Sequence, residues 1–355
     1  MLNLAGKEAG AVGKVTLKDV AEKAGVSIST VSRVANKNYA NVSNELIDRV
    51  EQAIRETGYQ MPEKEKINPD RKLIKLGVLL TEVNNESMNC LLAGIFSVTD
   101  NYDVVTIVND YKLNIAKETK SLEMFMSESV DGIIATNVEQ GTLPPCYQTI
   151  IDKKIPLVIV SNTRMSTDGQ KGVSLVCDDS YKAMRSGVRY LLSLGHDKIL
   201  LLGFPGKNGR YRYHALAVEQ EFKSRGLRLG KDSRVDCENS YMSAYIEIDK
   251  ICKQRRFEHT AIFTASDVIA FGAIDALRAN GIAPFDDISI LGYDNIDAAR
   301  YVGLTTISEP MFELGVNAAY IVMNLINGTQ SEDKITILNN SLEIRTSCRQ
   351  RKLRK

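Results

Sequence analysis

Apolar residues recur along this chain with two different periods, and the change of period divides it. From Leu17 to Ile54 the spacing is helical. Leu17, Val20, Ala21 and Ala24 make one stripe, Val31, Val34 and Ala35 a second, and Leu46, Ile47, Val50 and Ile54 a third. Thr16 with Asp19 three residues later opens the first helix as a capping box does, and Gly25 ends it by accepting a left-handed conformation. Ser27 caps the second helix, Val42 and Ser43 introduce the third, and Gly58 closes it. Helices this short, with so small a core, make an adequate if marginal domain.

From Lys75 onward short β-branched runs alternate with amphipathic helices, which predicts parallel sheet flanked by helices. The expected strands are Leu76–Thr81, Val104–Val108, Gly132–Ala135, Leu157–Val160, Val173–Val176, Ile199–Leu202, Ala261–Phe263 and Ile288–Leu291. Helices are expected between most of them, including Ile115–Met126, Tyr181–Leu194 and Ala215–Arg225. That is more strand than one doubly wound sheet usually holds, so two similar lobes, each with its own parallel sheet, are predicted.

The breaks in periodicity set the remaining boundaries. Residues 1–13 read as a flexible tail, 14–60 as a helix-turn-helix domain, 61–74 as a charged linker with prolines at 62 and 69, and 75–347 as the two-lobed core. Residues 348–355 read as a basic tail, the end of a solvated stretch from Arg345.

The second helix of the head carries the clearest chemistry. A helix-turn-helix sets the first residues of that helix at base edges, while short polar side chains and helix N-termini hold phosphates. Ile28, Ser29, Ser32, Arg33 and Asn36 are expected outward. Ile28 suits a thymine methyl, Ser29 is a small donor or acceptor, and Arg33 can bond guanine O6 and N7 together. Thr16, Thr30, Ser32 and Asn36 are candidate phosphate ligands, with Ser27 at the helix start beside them. The plainer alternative is that these polar residues only solvate a small helical domain.

The head resembles the lactose/galactose repressor (LacI/GalR) family. The matching residues are Thr16-Leu17-Lys18-Asp19-Val20-Ala21, Ala24-Gly25-Val26-Ser27, Thr30-Val31-Ser32-Arg33-Val34 and Asn36. Further family-like stretches are Leu194-Gly195-His196, Ala265-Ser266-Asp267, Asp287 to Asp294 and Leu304-Thr305-Thr306-Ile307, so the resemblance covers nearly the whole chain apart from both tails and the hinge. It implies a small all-α helix-turn-helix head on an α/β, two-lobed core like that of periplasmic binding proteins. It also implies a homodimer that binds double-stranded operator DNA and answers to a small sugar-like effector. Ile28, Ser29 and Arg33 then fall at the base-reading positions. One segment departs from the family: Glu63, Lys64, Glu65, Lys66, Asn68 and Pro69 replace the hinge helix and its apolar wedge, so modest operator bending is expected.

Ligands in such cores bind outside the carboxyl ends of strands. Sugars need planar groups that engage two hydroxyls at once, and by the resemblance Arg212 is the donor and Asp294 the acceptor. Asp179 and Ser266 are further effector-site candidates. Each has a structural alternative: Arg212 as a surface charge, Asp294 and Asp179 as caps of the helices that follow, and Ser266 as the cap of a helix beginning at Asp267. The chain has no tryptophan, so a stacking ring must come from Phe204, Tyr293 or Phe312, each equally suited to core packing.

Composition narrows the function. A net charge of +1 on 355 residues gives no global basic bias, so DNA affinity has to come from a local surface and from paired copies. The six cysteines lack metal-ligand spacing and read as reduced, mostly buried thiols, so no metal or cofactor is expected. The start of the chain lacks the apolar core of a signal peptide, and no apolar run is long enough to cross a membrane, which points to the cytoplasm. Gly203 to Gly209 imitates a phosphate loop but lacks its spacing and its Ser or Thr after the lysine. The histidines at 196, 214 and 259 are isolated, His196 reads as structural, and no enzymatic activity is expected. The competing reading is a sugar-binding receptor without DNA regulation, against which the head argues.

Overall fold

A computed structural model describes residues 17–26, 28–35, 39, 42–59, 73–136, 143–161, 171–204, 209–230, 232–254, 257–329 and 335–351. The chain divides into two compact units, one taking residues 1–72 and 96–103, the other 73–95 and 104–355.

In the head, α1 (Leu17–Ala24), α2 (Ile28–Ala35) and α3 (Asn44–Thr57) pack pairwise. Of the predicted apolar set, Val20, Ala21, Ala24, Val31, Val34 and Val50 are buried and are joined by Ala53, whereas Ala35, Leu46, Ile47 and Ile54 are half-buried. Ser43 caps α3 by accepting from the Leu46 amide at 3.3 Å, and Gly58 ends it at φ +68°. An ion pair of 3.0 Å between Lys23 and Glu56 joins α1 to α3.

The second unit holds two six-stranded sheets. The first lobe contributes β1 (Ile74–Leu80), α4 (Glu86–Thr99), β2 (Val104–Asp110), α5 (Ile115–Ser127), β3 (Gly132–Thr136), α6 (Gln148–Asp152), β4 (Leu157–Ser161) and β5 (Ser174–Asp178). The second contributes α7 (Ser180–Ser193), β6 (Ile199–Leu202), α8 (Gly209–Ser224), β7 (Arg234–Val235), α9 (Tyr241–Gln254), β8 (Ala261–Thr264), α10 (Asp267–Ala279), β9 (Ser289–Asp294), α11 (Asp297–Val302) and β10 (Thr305–Ser308). The chain then returns to the first lobe through α12 (Met311–Ile326) and β11 (Ile335–Leu338), and ends in the second with β12 (Ser341–Glu343).

The strand orders are β11-β5-β4-β3-β1-β2 and β12-β10-β9-β8-β6-β7. Pairing is parallel throughout except for β12, which runs antiparallel to β10 at one edge. Each lobe buries its own apolar cluster between sheet and helices, and central strands such as β3 and β4 are buried along their whole length. That is why they read as continuous apolar runs instead of alternating ones. α12 covers β3, β4 and β5 and packs on α4 at very short range. A Cβ at Gly315 would lie 2.1 Å from the Leu91 carbonyl, and one at Gly94 2.1 Å from that of Phe312. Both glycines are therefore required by the approach of the two helices.

Two expectations need correcting. Residues 345–351 are not a solvated tail, because the second lobe binds them along their length. The Ser347 hydroxyl donates to the Ile290 carbonyl at 2.6 Å and accepts from the Thr305 amide at 2.7 Å, while Arg351 donates its amide to Leu194. His196 anchors the same segment. Its Nε2 donates to the Arg349 carbonyl at 2.8 Å, and Nδ1 lies 3.0 Å from the Thr260 hydroxyl. Burial lowers the His196 pKa, which favours the neutral ring. The charges of the segment misled because Arg349 and Arg351 are paired with Asp286 and Asp197. None of the six cysteines is in a disulfide, but only Cys177 and Cys348 are buried, and Cys90 is exposed on α4.

Candidate functional site

On α2, rotation of about 100° per residue separates two sides. Val31, Ser32 and Val34 are buried, while Thr30 and Arg33 are half-exposed. Ser32, expected outward, has 0% exposure and is not available to a phosphate in this conformation. Its place on the helix explains the correction: it lies on the arc that α2 turns toward α1 and α3, one step from Val31. Arg33 lies on the opposite side, one turn after position 29. Thr16, Ser27 and Asn36 fall outside the described residues. Ile28 and Ser29 belong to α2 by their backbone.

In the core, the candidate residues gather at the carboxyl ends of the strands. Asp179 follows β5 and caps α7, its Oδ1 accepting from the Lys182 amide at 3.0 Å. Ser266 follows β8 and caps α10, accepting from the Ile269 amide at 3.3 Å and donating to Asn239 Oδ1 at 2.5 Å. Both take the capping alternative raised by the sequence, and Ser266 is buried as well. Arg212 belongs to the first turn of α8. The three candidate rings pack into the protein: Tyr293 is 0% and Phe204 1% exposed, and Phe312 is buried on α12. Tyr293 stands 5.3 Å from the His214 ring, which in turn lies 6.4 Å from Phe204. None of the three offers an open face for stacking in this conformation.

Asp294 is different. It ends β9 at φ +105°, and Asn295 follows at φ +59°. Asn295 occupies the left-handed region that asparagine adopts readily, but Asp294 lies beyond it and carries strain of the order of 1–3 kcal/mol, which concentrates at binding sites. Asp294 does not cap α11, whose N-cap position is Ile296, a residue with no side-chain acceptor. The turn is braced from several elements. Asp267 Oδ2 accepts from the Ile296 amide at 3.0 Å, and its Oδ1 accepts from the Thr306 hydroxyl at 2.6 Å. Asn295 donates to the Ser308 hydroxyl at 3.1 Å and accepts from Arg345 at 2.6 Å.

Burial pushes the Asp267 pKa up to about 7, against the pull of the Thr306 hydroxyl, the Ile296 and Asn295 amides and the charge of Arg345. Across the lobes, Glu86 at the start of α4 accepts from the Asp297 amide at 2.6 Å, giving α11 the cap its own sequence lacks. The chain crosses between the sheets near residues 178–180, 308–311 and 338–341. At the first and last of these, Asn340 donates to Asp178 at 2.7 Å.

Asp267, Asn295, Arg345 and Glu86 carry no site role in the sequence reading. Only Asp267 left a signal, because an acid directly after a capping serine is partly redundant for the cap. Among the described residues, no cluster of His, Cys, Asp or Glu could hold a metal, and no helix is long and apolar enough to cross a membrane.

Comparison with known proteins gives two family matches: residues 16–61 to bacterial regulatory proteins of the lacI family, and residues 188–348 to a periplasmic binding protein-like domain. The HTH-type transcriptional regulator RegA of Clostridium acetobutylicum is 30% identical over 345 residues, covering 94% of this chain and 99% of that protein. Among solved structures, the lac repressor dimer bound to operator and the anti-inducer ONPF has a TM-score of 0.66 at 24% identity, covering 94% of this chain and 99% of the other. The transcriptional regulator CelR in complex with cellobiose has a TM-score of 0.67 at 22% identity, with the same coverages. These two likenesses are of fold.

Proposed function

The chain belongs to the lacI family of bacterial regulatory proteins, and from that premise we propose that it is a homodimeric repressor whose core binds a small sugar-like effector between its lobes. It is a DNA-binding transcriptional regulator, and its partner is operator DNA. Two heads would enter major-groove half-sites about one helical turn apart, roughly 34–36 Å, on a near-palindrome. Ile28, Ser29 and Arg33 read bases in this scheme, and Thr16, Ser27, Thr30 and Asn36 hold phosphates. The exposed side of α2 that bears Arg33 supports the base-reading role. The linker, residues 61–74, lies almost entirely outside the described residues; its Asn68-Pro69 sequence supports operator binding without a strong kink.

The effector reading rests above all on the strained turn at Asp294. Asp294 places a carboxylate at the carboxyl end of β9, in a turn whose next three residues are held by Ser308, Arg345, Asp267 and Glu86, and this suits a binding acceptor. Arg212 on the first turn of α8 is the partner donor, and the sugar bound by CelR is the kind of ligand this pair suits. The protein works by binding, not by catalysis, and in the cytoplasm, where the DNA is.

Effector closure would rotate one lobe against the other and change the spacing of the heads, so that ligand and DNA affinities are coupled reciprocally. An electrophoretic shift on the protein's native upstream region tests the DNA half: sequence-preferring binding at moderate salt is expected, and its absence overturns the regulator. A thermal-shift screen of sugars and sugar phosphates tests the other half, since a ligand of the folded core raises Tm by mass action.

A further inference from the structure

We propose that Asp267 is the positioning residue of the effector site: its carboxyl group fixes the turn that carries Asp294 and, through the same turn, the amide of Asp297 that meets Glu86 of the opposite lobe. The proposal deepens the reading above and rests on it for the word effector; the geometry of the turn stands without it.

Asp267 has 0% exposure, so it does not itself reach a ligand. Each of its oxygens is engaged by a different element: Oδ2 takes the Ile296 amide at 3.0 Å and Oδ1 the Thr306 hydroxyl of β10 at 2.6 Å. The strand that leads into the turn makes room for it. A Cβ at Gly292 would lie 2.1 Å from Asp267 Oδ1, so β9 passes the carboxyl group at a distance only glycine permits.

Asp294 and Asn295 follow with φ of +105° and +59°, and the first of these lies outside the left-handed well that Asp and Asn adopt readily. The next amides in the chain are Ile296, bound by Asp267, and Asp297, bound across the lobes by Glu86 at 2.6 Å. The turn thus links a candidate ligand acceptor to a contact between lobes, and Asp267 holds it from below. Arg345 and Ser308 hold Asn295 from the sides, and Arg345 is the cation whose field acts on Asp267. The other carboxyl groups near the turn are those of Asp294, Asp297 and Glu86.

Hydrogen–deuterium exchange on the full-length protein tests this without any ligand. Asp267→Ala should speed exchange of the amides from Asn295 to Asp297 at least tenfold while leaving β6 and α12 at the wild-type rate. Asp267→Asn, which keeps an acceptor for Ile296, should restore most of the protection, and Thr306→Val should show a smaller, equally local loss. Wild-type protection of the turn in Asp267→Ala, or the same acceleration throughout the second lobe, overturns the proposal. Should the alanine variant not fold, unchanged local exchange in Thr306→Val does so. Cellobiose and D-ribose are then added to the wild type. If neither slows exchange in the turn, the sugar reading of the cleft is weakened while the role of Asp267 stands on the first result.

Discussion

Arg33 and Ser32 are neighbours in sequence with opposite fates, and the difference decides which side of α2 can meet DNA. Ser32 is buried with Val31 and Val34, whereas Arg33 keeps part of its side chain in solvent. Replacing Arg33 with Ala should weaken operator binding by about 1–3 kcal/mol and relax base preference at one position. Competition between operator and random duplex checks this, and an unchanged ratio rules out base reading. The apolar positions of the head were legible because each stripe repeats at helical spacing. The inward turn of Ser32 was not, because a serine tolerates either side and only the packing against two other helices assigns it. In the same way Asp179 and Ser266 carry a capping role in sequence and in structure, while the left-handed Asp294-Asn295 pair arises from contacts with residues far along the chain.

Elements are fixed by a few contacts of high leverage. Glu221 on α8, 3% exposed, accepts from Arg185 at 2.9 Å and Arg189 at 3.2 Å on α7, and from Arg225 at 3.1 Å. These arginines hold its pKa down at about 2, although its burial alone would raise it. A depressed acid stabilises the fold above its unfolded value, and that contribution is lost as pH falls from about 4.5 toward 2. Glu221→Gln should lower stability at pH 7 by about 1.5–3 kcal/mol and flatten acid unfolding in that window, as urea melts at several pH values will show. Where α4 and α12 meet, Gly315→Ala places a methyl group against the Leu91 carbonyl and should cost about 1–3 kcal/mol, read in the same melts.

The strands of both sheets were legible where they carry a continuous apolar or β-branched run, including the edge strand β2, none of whose residues is buried. β7, β10, β11 and β12 were not: β7 is two residues long, β10 is buried but rich in threonine, and β11 and β12 are partly exposed edge strands with no continuous apolar run.

At the scale of the whole molecule, the architecture is that of two lobes joined by three crossings, with the last strands of the chain divided between them. Sequence periodicity predicts two lobes but not how the chain is divided between them, because the return through α12 and β11 to the first sheet is a long-range pairing that no local pattern encodes. The docked segment at residues 345–351 follows the same rule: its charges read as solvated, yet Arg345 braces the turn at Asp294. The candidate site is thus assembled from segments far apart in the chain, and in the proposed function it makes two binding equilibria interdependent. Asp294→Ala should leave operator affinity intact and abolish the response to the effector, since the proposed acceptor lies in the core and the proposed base-reading residues in the head.

Fluorescence anisotropy of the native upstream operator, titrated with wild-type protein in the presence and absence of a sugar that raises its Tm, tests that interdependence most directly. The sugar should shift wild-type operator affinity by roughly five- to 150-fold, the usual range of allosteric coupling, and Asp294→Ala should bind the operator normally but show no shift. An operator affinity that the stabilising sugar does not alter, or an Asp294→Ala protein that responds as the wild type does, would contradict the proposed coupling.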